Sequence, residues 1–349
     1  MDKINPFAIS FGKKPVQFVP RLAQTNEIID DFDKNPASGQ IYMIAGVRGS
    51  GKTVMMTSIA QELGELGNWV VIELNPERDL LQGLAAKLYD IPYLQPLFLN
   101  AKINLSAFGI GANIEFVPPA ADIESALTKM FGILKKQKKK VLITIDEVSN
   151  NENVRIFASA FQIFIRQELP VYLLMTGLYE NIYDLQNQKT LTFLYRAPKI
   201  NLAPLNYTAV RSQYQSVFDI PQEDAGNMAG IVKGYSFAYQ VLGYLFWKKD
   251  PKQQLKDLLP DFDQYMAEYV YEKIWSELSD KDKKVLEGIT EGEKMKVQAV
   301  RDNIGMESDE FSVYKERLKR KGIIDSSQYG YVSLSLPRFE VFVRNMKDI

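Results

Sequence analysis

The most constraining feature of the sequence is an apolar run followed by a glycine-rich octapeptide and a helical pattern. Residues 41–45, Ile-Tyr-Met-Ile-Ala, have the continuous hydrophobicity of a strand that is buried on both faces. A helical pattern covers residues 54–66. Between them the sequence matches G-x-x-x-x-G-K-[ST], in which backbone N–H groups and the positive end of a helix dipole surround a phosphate group. The octapeptide is Gly46-Val47-Arg48-Gly49-Ser50-Gly51-Lys52-Thr53.

The residue types of this phosphate loop have separate roles at a nucleotide. The glycines let the backbone curl, so that successive N–H groups point at phosphate oxygens. Lys52 is expected to neutralise the β- and γ-phosphates, and the Thr53 hydroxyl is expected to bind Mg²⁺. An ordinary glycine turn is the alternative, but the strand before the loop and the helix after it are the context that phosphate binding requires.

Further apolar runs place the loop in a parallel sheet. Runs suited to buried strands occur at residues 69–74, 141–145, 171–175 and 199–202, and helical patterns separate most of them. The order strand, glycine loop, helix, strand, helix is typical of a three-layer α/β/α fold with a parallel sheet. Residues 102–117, with Phe-Gly-Ile-Gly in their middle, interrupt this order, and we predict an inserted hairpin there.

Two carboxylates, Asp146 and Glu147, directly follow the strand at residues 141–145. Ligands of parallel sheets bind beyond the carboxyl ends of the strands, so we expect Asp146 at the same edge as the phosphate loop. Asp146 is predicted to bind Mg²⁺ through water, and Glu147 to polarise the attacking water. A solvated acidic turn is the alternative. A glutamate here favours ATP hydrolysis over small-molecule kinase activity, which needs no base to activate water.

Three further residues are candidates for the same nucleotide. Thr176 follows the strand at residues 171–175, where it would hydrogen-bond the γ-phosphate or the attacking water; a threonine in a simple turn is the alternative. Arg196 is a candidate arginine finger for the nucleotide of its own or of a neighbouring subunit, against a surface or ion-paired arginine. Arg21, upstream of the loop, is a candidate for the adenine–ribose side.

Composition narrows the chemistry that remains. The 349 residues include no histidine and no cysteine, which excludes imidazole bases, thiol nucleophiles and thiolate zinc sites. Any metal is then held by oxygen ligands, which favours Mg²⁺. The net charge of −1 argues against a surface that is basic throughout. The sequence shows neither a signal-peptide pattern nor an apolar stretch of bilayer length, so we expect a cytoplasmic protein without membrane contact.

Beyond the predicted sheet, the pattern changes to helices. Residues 1–205 would form the ATPase domain, residues 206–275 a helical lid, and residues 276–349 three helices and a hairpin, the outline of a winged helix-turn-helix domain. The predicted recognition helix, residues 308–321, starts acidic and ends basic. Residues 279–349 contain 14 basic and 13 acidic side chains, a weak balance for a DNA clamp. A domain that packs on the ATPase or on a protein partner is the alternative.

The order of these motifs carries a family resemblance. The chain resembles the AAA+/STAND-type P-loop ATPases of the archaeal ATPase and origin-recognition-like group, which implies an ATP-binding, Mg²⁺-dependent ATPase. The resemblance rests on the phosphate loop, Ile145-Asp146-Glu147-Val148, Leu174-Met175-Thr176-Gly177-Leu178, Arg196 before Ile200-Asn201-Leu202-Ala203-Pro204-Leu205, and the terminal winged helix.

The resemblance also implies a role for each matching residue. Lys52 and Thr53 correspond to the Walker A motif, and Asp146 and Glu147 to Walker B. Thr176 corresponds to the sensor 1 residue, and Arg196 to a finger-like arginine. Two segments differ from the family pattern. Pro20-Arg21 stands where the family often has Gly-Arg, and Gly234-Tyr235-Ser236 stands where its lid often has a Gly-x-Pro turn.

The sequence leaves three functions open. The first is an ATPase switch, in which nucleotide binding and hydrolysis alter the domain arrangement and hence the engagement of a partner or DNA. The second is a nucleotide-dependent DNA-binding regulator with little hydrolysis. The third is a non-enzymatic scaffold that holds a nucleotide. The expected partners are ATP, DNA through the winged helix, and either another protein or a second copy of the chain.

Overall fold

The chain folds into two compact units. The computed structural model describes residues 4–10, 15–34, 37, 39–111, 114, 117–289 and 294–347. We call the first unit, which comprises Leu22–Ala45 and Lys52–Asn201, the sheet unit. We call the second the helical unit; it comprises the described residues of Met1–Arg21, Gly46–Gly51 and Leu202–Ile349. The division between the units runs along the chain at both ends of Gly46–Gly51.

The sheet unit alternates strands with helices, as the sequence predicts. Its strands are β1 (Ile41–Ala45), β2 (Trp69–Leu74), β3 (Lys140–Ile145), β4 (Val171–Gly177) and β5 (Lys199–Asn201). Its helices are α1 (Leu22–Asp33), α2 (Lys52–Glu65), α3 (Leu80–Tyr89), α4 (Gln95–Asn100), α5 (Ile123–Lys136), α6 (Glu152–Arg166), α7 (Tyr179–Gln186) and α8 (Thr192–Tyr195).

The strands form one parallel sheet in the order β2-β3-β4-β1-β5. β4 therefore lies between β1, which leads into the phosphate loop, and β3, which leads into the acidic pair. The register pairs Ala45 with Gly177 and Ile145 with Met175, so these three strands end at the same edge of the sheet. The predicted α/β fold with a parallel sheet is confirmed, and each predicted strand is present to within two residues.

Both faces of the sheet are covered, which explains the continuous apolar runs. Met43, Ile143 and Leu173 face a core shared with α3, α5 and α6. The alternate side chains Tyr42 and Tyr172 are also buried, and their rings contact the ring of Phe32 on α1. A strand that buries successive side chains on opposite faces has no polar alternation to display.

The described residues of the predicted hairpin at 102–117 form no strand. They contain a 3-10 turn, Ser106–Phe108, and residues 112–113 and 115–116 of the prediction lie outside the described residues. The Asn104 side chain accepts a hydrogen bond from Ser106 N and donates one to Val117 O, which closes the loop locally. Ile103, Leu105 and Ile110 are buried in the sheet-unit core. The β-prone residues of this segment therefore anchor a loop instead of pairing as strands.

The helical unit begins with residues before α1 and continues after β5. Its helices are α9 (Tyr207–Phe218), α10 (Gln222–Val232), α11 (Ser236–Lys248), α12 (Leu259–Met266), α13 (Glu272–Ser276), α14 (Asp280–Gly288), α15 (Val297–Ile304), α16 (Ser308–Arg320) and α17 (Phe339–Lys347). The short 3-10 helix Leu255–Leu258 precedes α12, and a π-helical turn, Ala267–Tyr271, joins α12 to α13.

The amino-terminal residues, which the sequence places in the ATPase domain, pack within the helical unit. The ring of Phe7 contacts those of Tyr214, Phe218 and Tyr239. Gly243 makes room for it, because a Cβ atom there would lie 2.3 Å from the Phe7 ring. Phe7 is thus a core residue of α9 and α11, not of the sheet.

The carboxy-terminal helices α14, α15 and α16 are followed by a hairpin, as expected. Strands β6 (Met295–Lys296), β7 (Ile324–Asp325) and β8 (Tyr331–Leu334) pair antiparallel in the order β6-β8-β7. Strand β6 lies between α14 and α15, so the order along the chain is α14-β6-α15-α16-β7-β8. Within the described part of the chain, every helix is too short or too polar to cross a membrane.

Candidate functional site

The ends of β1, β3 and β4 bring the predicted metal ligands of the sheet unit together. Thr53 lies in the first turn of α2, and its Oγ1 donates a hydrogen bond of 2.7 Å to Oδ2 of Asp146. Asp146 follows β3 immediately and is half-buried. The sheet thus places the hydroxyl of the phosphate loop and the first carboxylate of the acidic pair within bonding distance, as the parallel arrangement predicts.

Thr176 joins the same cluster from β4. It is fully buried, and its hydroxyl donates to Oδ1 of Asp146. The backbone N–H of Glu147 lies 3.0 Å from Asp146 Oδ1 and 3.3 Å from Thr176 Oγ1. Asp146 therefore accepts hydrogen bonds at both carboxylate oxygens. Thr176, which we expected to face a γ-phosphate or a water, orients this carboxylate in the structure.

Glu147 is exposed and occupies an unusual backbone conformation. Its φ angle is 54°, in the left-handed region that non-glycine residues rarely adopt. Val148 then donates its N–H to Thr176 O at 2.8 Å, which returns the chain to the edge of β4. Glu147 therefore occupies a strained turn between β3 and the return to β4.

Lys52 and Arg196 differ sharply in environment. Lys52 is buried at the start of α2. Arg196 ends α8 and is exposed, and its guanidinium group forms no hydrogen bond or ion pair with any described residue. The structure thus places Lys52 at the loop and leaves Arg196 on the surface of the sheet unit, next to Tyr195, whose exposed fraction is 71%.

The first part of the phosphate loop, Gly46–Gly51, belongs to the helical unit. Its Ser50 hydroxyl is buried, and no described residue hydrogen-bonds it. Arg21 donates to Ser50 O at 3.4 Å, so this predicted adenosine contact lies against the loop backbone. Arg48 pairs with Glu277 at 3.5 Å. A buried hydroxyl to which no described residue hydrogen-bonds therefore lies within a loop whose motif is typical of phosphate binding.

We use the name lid turn for Tyr235–Phe237, at the start of α11, which contacts this loop. The sequence did not predict this contact. The Tyr235 hydroxyl donates to Arg48 O, Ser236 Oγ donates to Ser50 O at 2.8 Å, and Phe237 N–H donates to Gly49 O at 3.0 Å. Burial raises the pKa of Tyr235 above its ordinary value, so its hydroxyl remains a donor at neutral pH. The only signal in the sequence was the resemblance of Gly234-Tyr235-Ser236 to a lid motif.

The basic end of α16 is largely engaged within its own domain. Arg317 donates to the buried Asp282 at 2.8 Å and to Ser279 Oγ at 2.6 Å. Lys319 lies 3.8 Å from Glu316. These contacts turn two cations of the predicted recognition helix toward protein carboxylates.

The donor set fits Mg²⁺ held partly by a nucleotide. The Thr53 hydroxyl and the Asp146 carboxylate are hard oxygen ligands whose atoms already lie 2.7 Å apart. Among the described residues, no group of three or more acidic side chains could form a metal site alone. Mg²⁺ commonly keeps several waters and binds one or two protein ligands together with substrate phosphates.

Comparisons with known proteins agree with this geometry. Residues 18–175 match the family model of an ATPase domain found predominantly in Archaea. Residues 268–343 match the model of a domain of unknown function, DUF8462. No curated protein is significantly similar to the chain in sequence.

Solved structures extend the likeness to the whole chain. A Walker-type ATPase of Pyrococcus abyssi has a TM-score of 0.64 and 13% identity, with 96% of this chain and 99% of that chain covered. The ORC2 protein of Aeropyrum pernix, in its ADPNP–ADP complexes, has a TM-score of 0.62 and 12% identity, with 97% of both chains covered. At such identities the likeness defines the fold.

Together with the family match of residues 18–175, the fold and the site are those of a nucleotide-binding P-loop ATPase domain.

Proposed function

We propose that the chain binds ATP with Mg²⁺ and hydrolyses it to ADP and phosphate. The observation that carries this proposal is the hydrogen bond between Thr53 Oγ1 and Asp146 Oδ2, 2.7 Å long, at the carboxyl edge of the sheet. A hydroxyl after the phosphate-loop lysine and a carboxylate after β3 are the two protein ligands that a P-loop ATPase offers to Mg²⁺.

Each residue of the site has a role in this reaction. Lys52 and the N–H groups of the loop bind the phosphates, and Thr53 and Asp146 hold the metal. A Mg²⁺ ion held by these two residues would supply positive charge to offset the negative charge that develops on the phosphate oxygens. Thr176 fixes the Asp146 carboxylate through its hydrogen bond.

Glu147 is the proposed base. Its exposed carboxylate accepts a proton from the attacking water as the water oxygen bonds to the γ-phosphorus, while the bond from that phosphorus to the β–γ bridging oxygen breaks and ADP leaves. Asp146 is assigned to the metal, because its Oδ2 lies 2.7 Å from the hydroxyl oxygen of Thr53, the other proposed metal ligand.

We further propose that hydrolysis drives a switch, in which the nucleotide state sets the domain arrangement and the engagement of a partner. The division of the chain at both ends of Gly46–Gly51 supports this, since the nucleotide-binding motif belongs covalently to both units. The partner is proposed to bind the carboxy-terminal residues 276–349. The ion pairs of Arg317 and Lys319 favour a protein partner over DNA, because they occupy cations that phosphates would need.

The test is steady-state ATP turnover by the wild type and Glu147→Gln, each with and without double-stranded DNA. We expect Mg²⁺-dependent turnover by the wild type, and ATP binding without turnover by Glu147→Gln. Unchanged hydrolysis in Glu147→Gln would contradict the assignment of the base. A salt titration of DNA binding, with and without ATP, tests the alternative regulator function, since phosphate contacts weaken steeply as salt rises.

A further inference from the structure

The lid turn, Tyr235–Phe237, binds three consecutive carbonyl groups of the phosphate loop from outside. The acceptors are Arg48 O for the Tyr235 hydroxyl, Gly49 O for the Phe237 N–H, and Ser50 O for the Ser236 hydroxyl. All of these atoms lie within the helical unit. The contacts leave no carbonyl between Arg48 and Ser50 without a donor.

The N–H groups of the same stretch are in the opposite situation. Ser50 N–H donates to Val47 O at 3.3 Å. The N–H groups of Arg48, Gly49 and Gly51 donate to no residue that the structure describes. In this stretch the protein thus provides hydrogen-bond donors for the backbone C=O groups, whereas most backbone N–H groups remain available. An anion-binding loop needs such available N–H groups.

Peptide planarity links these two facts. The C=O of one residue and the N–H of the next point in opposite directions, because they share one rigid peptide plane. The hydroxyl of Tyr235, by binding Arg48 O, fixes the direction of the Gly49 N–H. The hydroxyl of Ser236 binds Ser50 O at 2.8 Å, closer than Arg21 at 3.4 Å, and is thus the nearer of two donors that fix the direction of the Gly51 N–H. The two side chains therefore act on the two glycine amides that donate to no described residue.

The glycines of the loop are also fitted to the lid turn. A Cβ atom on Gly49 would lie 2.6 Å from the Tyr235 hydroxyl oxygen, and one on Gly51 would lie 3.2 Å from Ser236 Oγ. Both glycines have positive φ angles, 74° and 91°. Their missing side chains thus serve the approach of the lid turn as well as the curl of the loop.

We propose that Tyr235 and Ser236 are positioning residues, which hold the peptide groups of the phosphate loop with their N–H groups toward the nucleotide phosphates. Neither side chain is assigned a contact with the nucleotide itself. The inference rests on the proposed function, because it assigns to the lid turn the preorganisation of the same ATP site. According to this proposal, ATP affinity depends on two hydroxyl groups that lie 187 and 186 residues after their acceptors along the chain.

The experiment compares ATP dissociation constants and urea unfolding for wild type, Tyr235→Phe, Ser236→Ala and the double variant. Ser236→Thr retains the hydroxyl and serves as the conservative rescue. Tyr214→Phe is the matched control, since the buried Tyr214 hydroxyl also donates to a backbone carbonyl of the helical unit, Tyr239 O, at 2.8 Å, but does not touch the loop.

We expect each single variant to bind ATP about two- to tenfold more weakly, which is the effect of losing one neutral hydrogen bond. The double variant should lose affinity further, Ser236→Thr should bind as the wild type does, and Tyr214→Phe should lose stability but keep its affinity. If the double variant does not fold, the two single variants decide by the same criterion.

Two outcomes separate the inference from the function on which it rests. If the wild type binds ATP and the Tyr235 and Ser236 variants bind it equally well, or if Tyr214→Phe weakens binding as much as they do, the positioning role is overturned and the ATPase proposal stands. If the wild type itself binds no ATP, the proposed function fails first.

Discussion

The Thr53 hydroxyl donates a hydrogen bond of 2.7 Å to Asp146 Oδ2, although 93 residues separate the two along the chain. Thr53 is in the first turn of α2 and Asp146 follows β3, and β4 lies between β1 and β3 in the sheet. The contact therefore crosses one strand at the carboxyl edge. It joins a neutral donor to a carboxylate, and both oxygens become available to a metal when the hydrogen bond opens.

The Thr53→Ala variant tests whether the Thr53 hydroxyl binds the metal ion or the phosphates of ATP. We expect the variant to bind ATP as the wild type does in the presence of EDTA, because Lys52 and the loop remain. With Mg²⁺ its affinity should be at least about tenfold below that of the wild type, as is typical when a metal site loses one of its supporting groups.

Titration of a fluorescent ATP analogue, with Thr53→Ser as the control, measures both values. Lys52→Ala should abolish binding under both conditions, and equal Mg²⁺ dependence in wild type and Thr53→Ala would exclude a metal-ligand role.

Thr176→Val tests whether a buried hydroxyl orients the metal-binding carboxylate. The variant keeps the shape of the side chain but removes the donor to Asp146 Oδ1 and the acceptor near Glu147 N–H. We expect kcat to fall about tenfold or more while KM changes little, since the loss concerns carboxylate geometry in the transition state.

Thr176→Ser is the control for this prediction because it keeps the hydroxyl and should retain most of the turnover. A rise in KM without a fall in kcat in Thr176→Val would show instead that Thr176 contributes to nucleotide affinity.

Much of this site could be predicted from the sequence because its parts lie at strand ends. The apolar runs at β1, β3 and β4 fixed where each strand ends, and parallel topology then brought Thr53, Asp146 and Thr176 to one edge. The hairpin prediction failed because β-prone residues such as Ile103 and Ile110 also suit a buried loop. The contact of Tyr235 with the phosphate loop had no local pattern, because its partner, Arg48 O, is a backbone atom 187 residues away.

Glu147→Gly should raise stability while it abolishes turnover. Glu147 has a φ of 54°, and a left-handed conformation at a non-glycine residue costs about 1–2 kcal/mol. Glycine removes this strain but makes the unfolded chain more flexible, so we expect a net gain of about 1 kcal/mol in the free energy of unfolding. Urea denaturation measures it, with Glu147→Gln as the control that loses turnover without relieving the backbone. A free energy of unfolding lower for Glu147→Gly than for the wild type would contradict the claim that the backbone at Glu147 is strained.

The ion pair between Asp282 and Arg317 should be structural. Asp282 is only 1% exposed and accepts hydrogen bonds from the Arg317 guanidinium and from Ser279. Asp282→Asn should lower the free energy of unfolding by about 2 kcal/mol, because it breaks a buried charge pair whose arginine is partly solvated. Lys319→Met, which removes a surface pair with Glu316, should change it by less than about 0.5 kcal/mol.

A double-mutant cycle with Arg317→Met identifies the source of that loss. We expect a coupling energy of about 1–2 kcal/mol between Asp282 and Arg317, within the range found for residues in one hydrogen-bond network. Additive effects of the two substitutions would show that Arg317 is not energetically coupled to Asp282. Arg317 could then bind a partner instead.

Arg196 is predicted to act on the nucleotide of a second copy of the chain. Its guanidinium is exposed and pairs with no described residue, as an arginine finger offered to a neighbour requires. We expect the turnover per chain to rise with protein concentration, and Arg196→Ala to lose this rise. Each of Arg196→Ala and Glu147→Gln should be inactive alone, whereas a mixture should regain turnover, because intact Glu147 in one copy meets intact Arg196 in the other. A mixture no more active than the mean of the two variants would contradict action between copies, since a finger within one chain cannot be complemented by another.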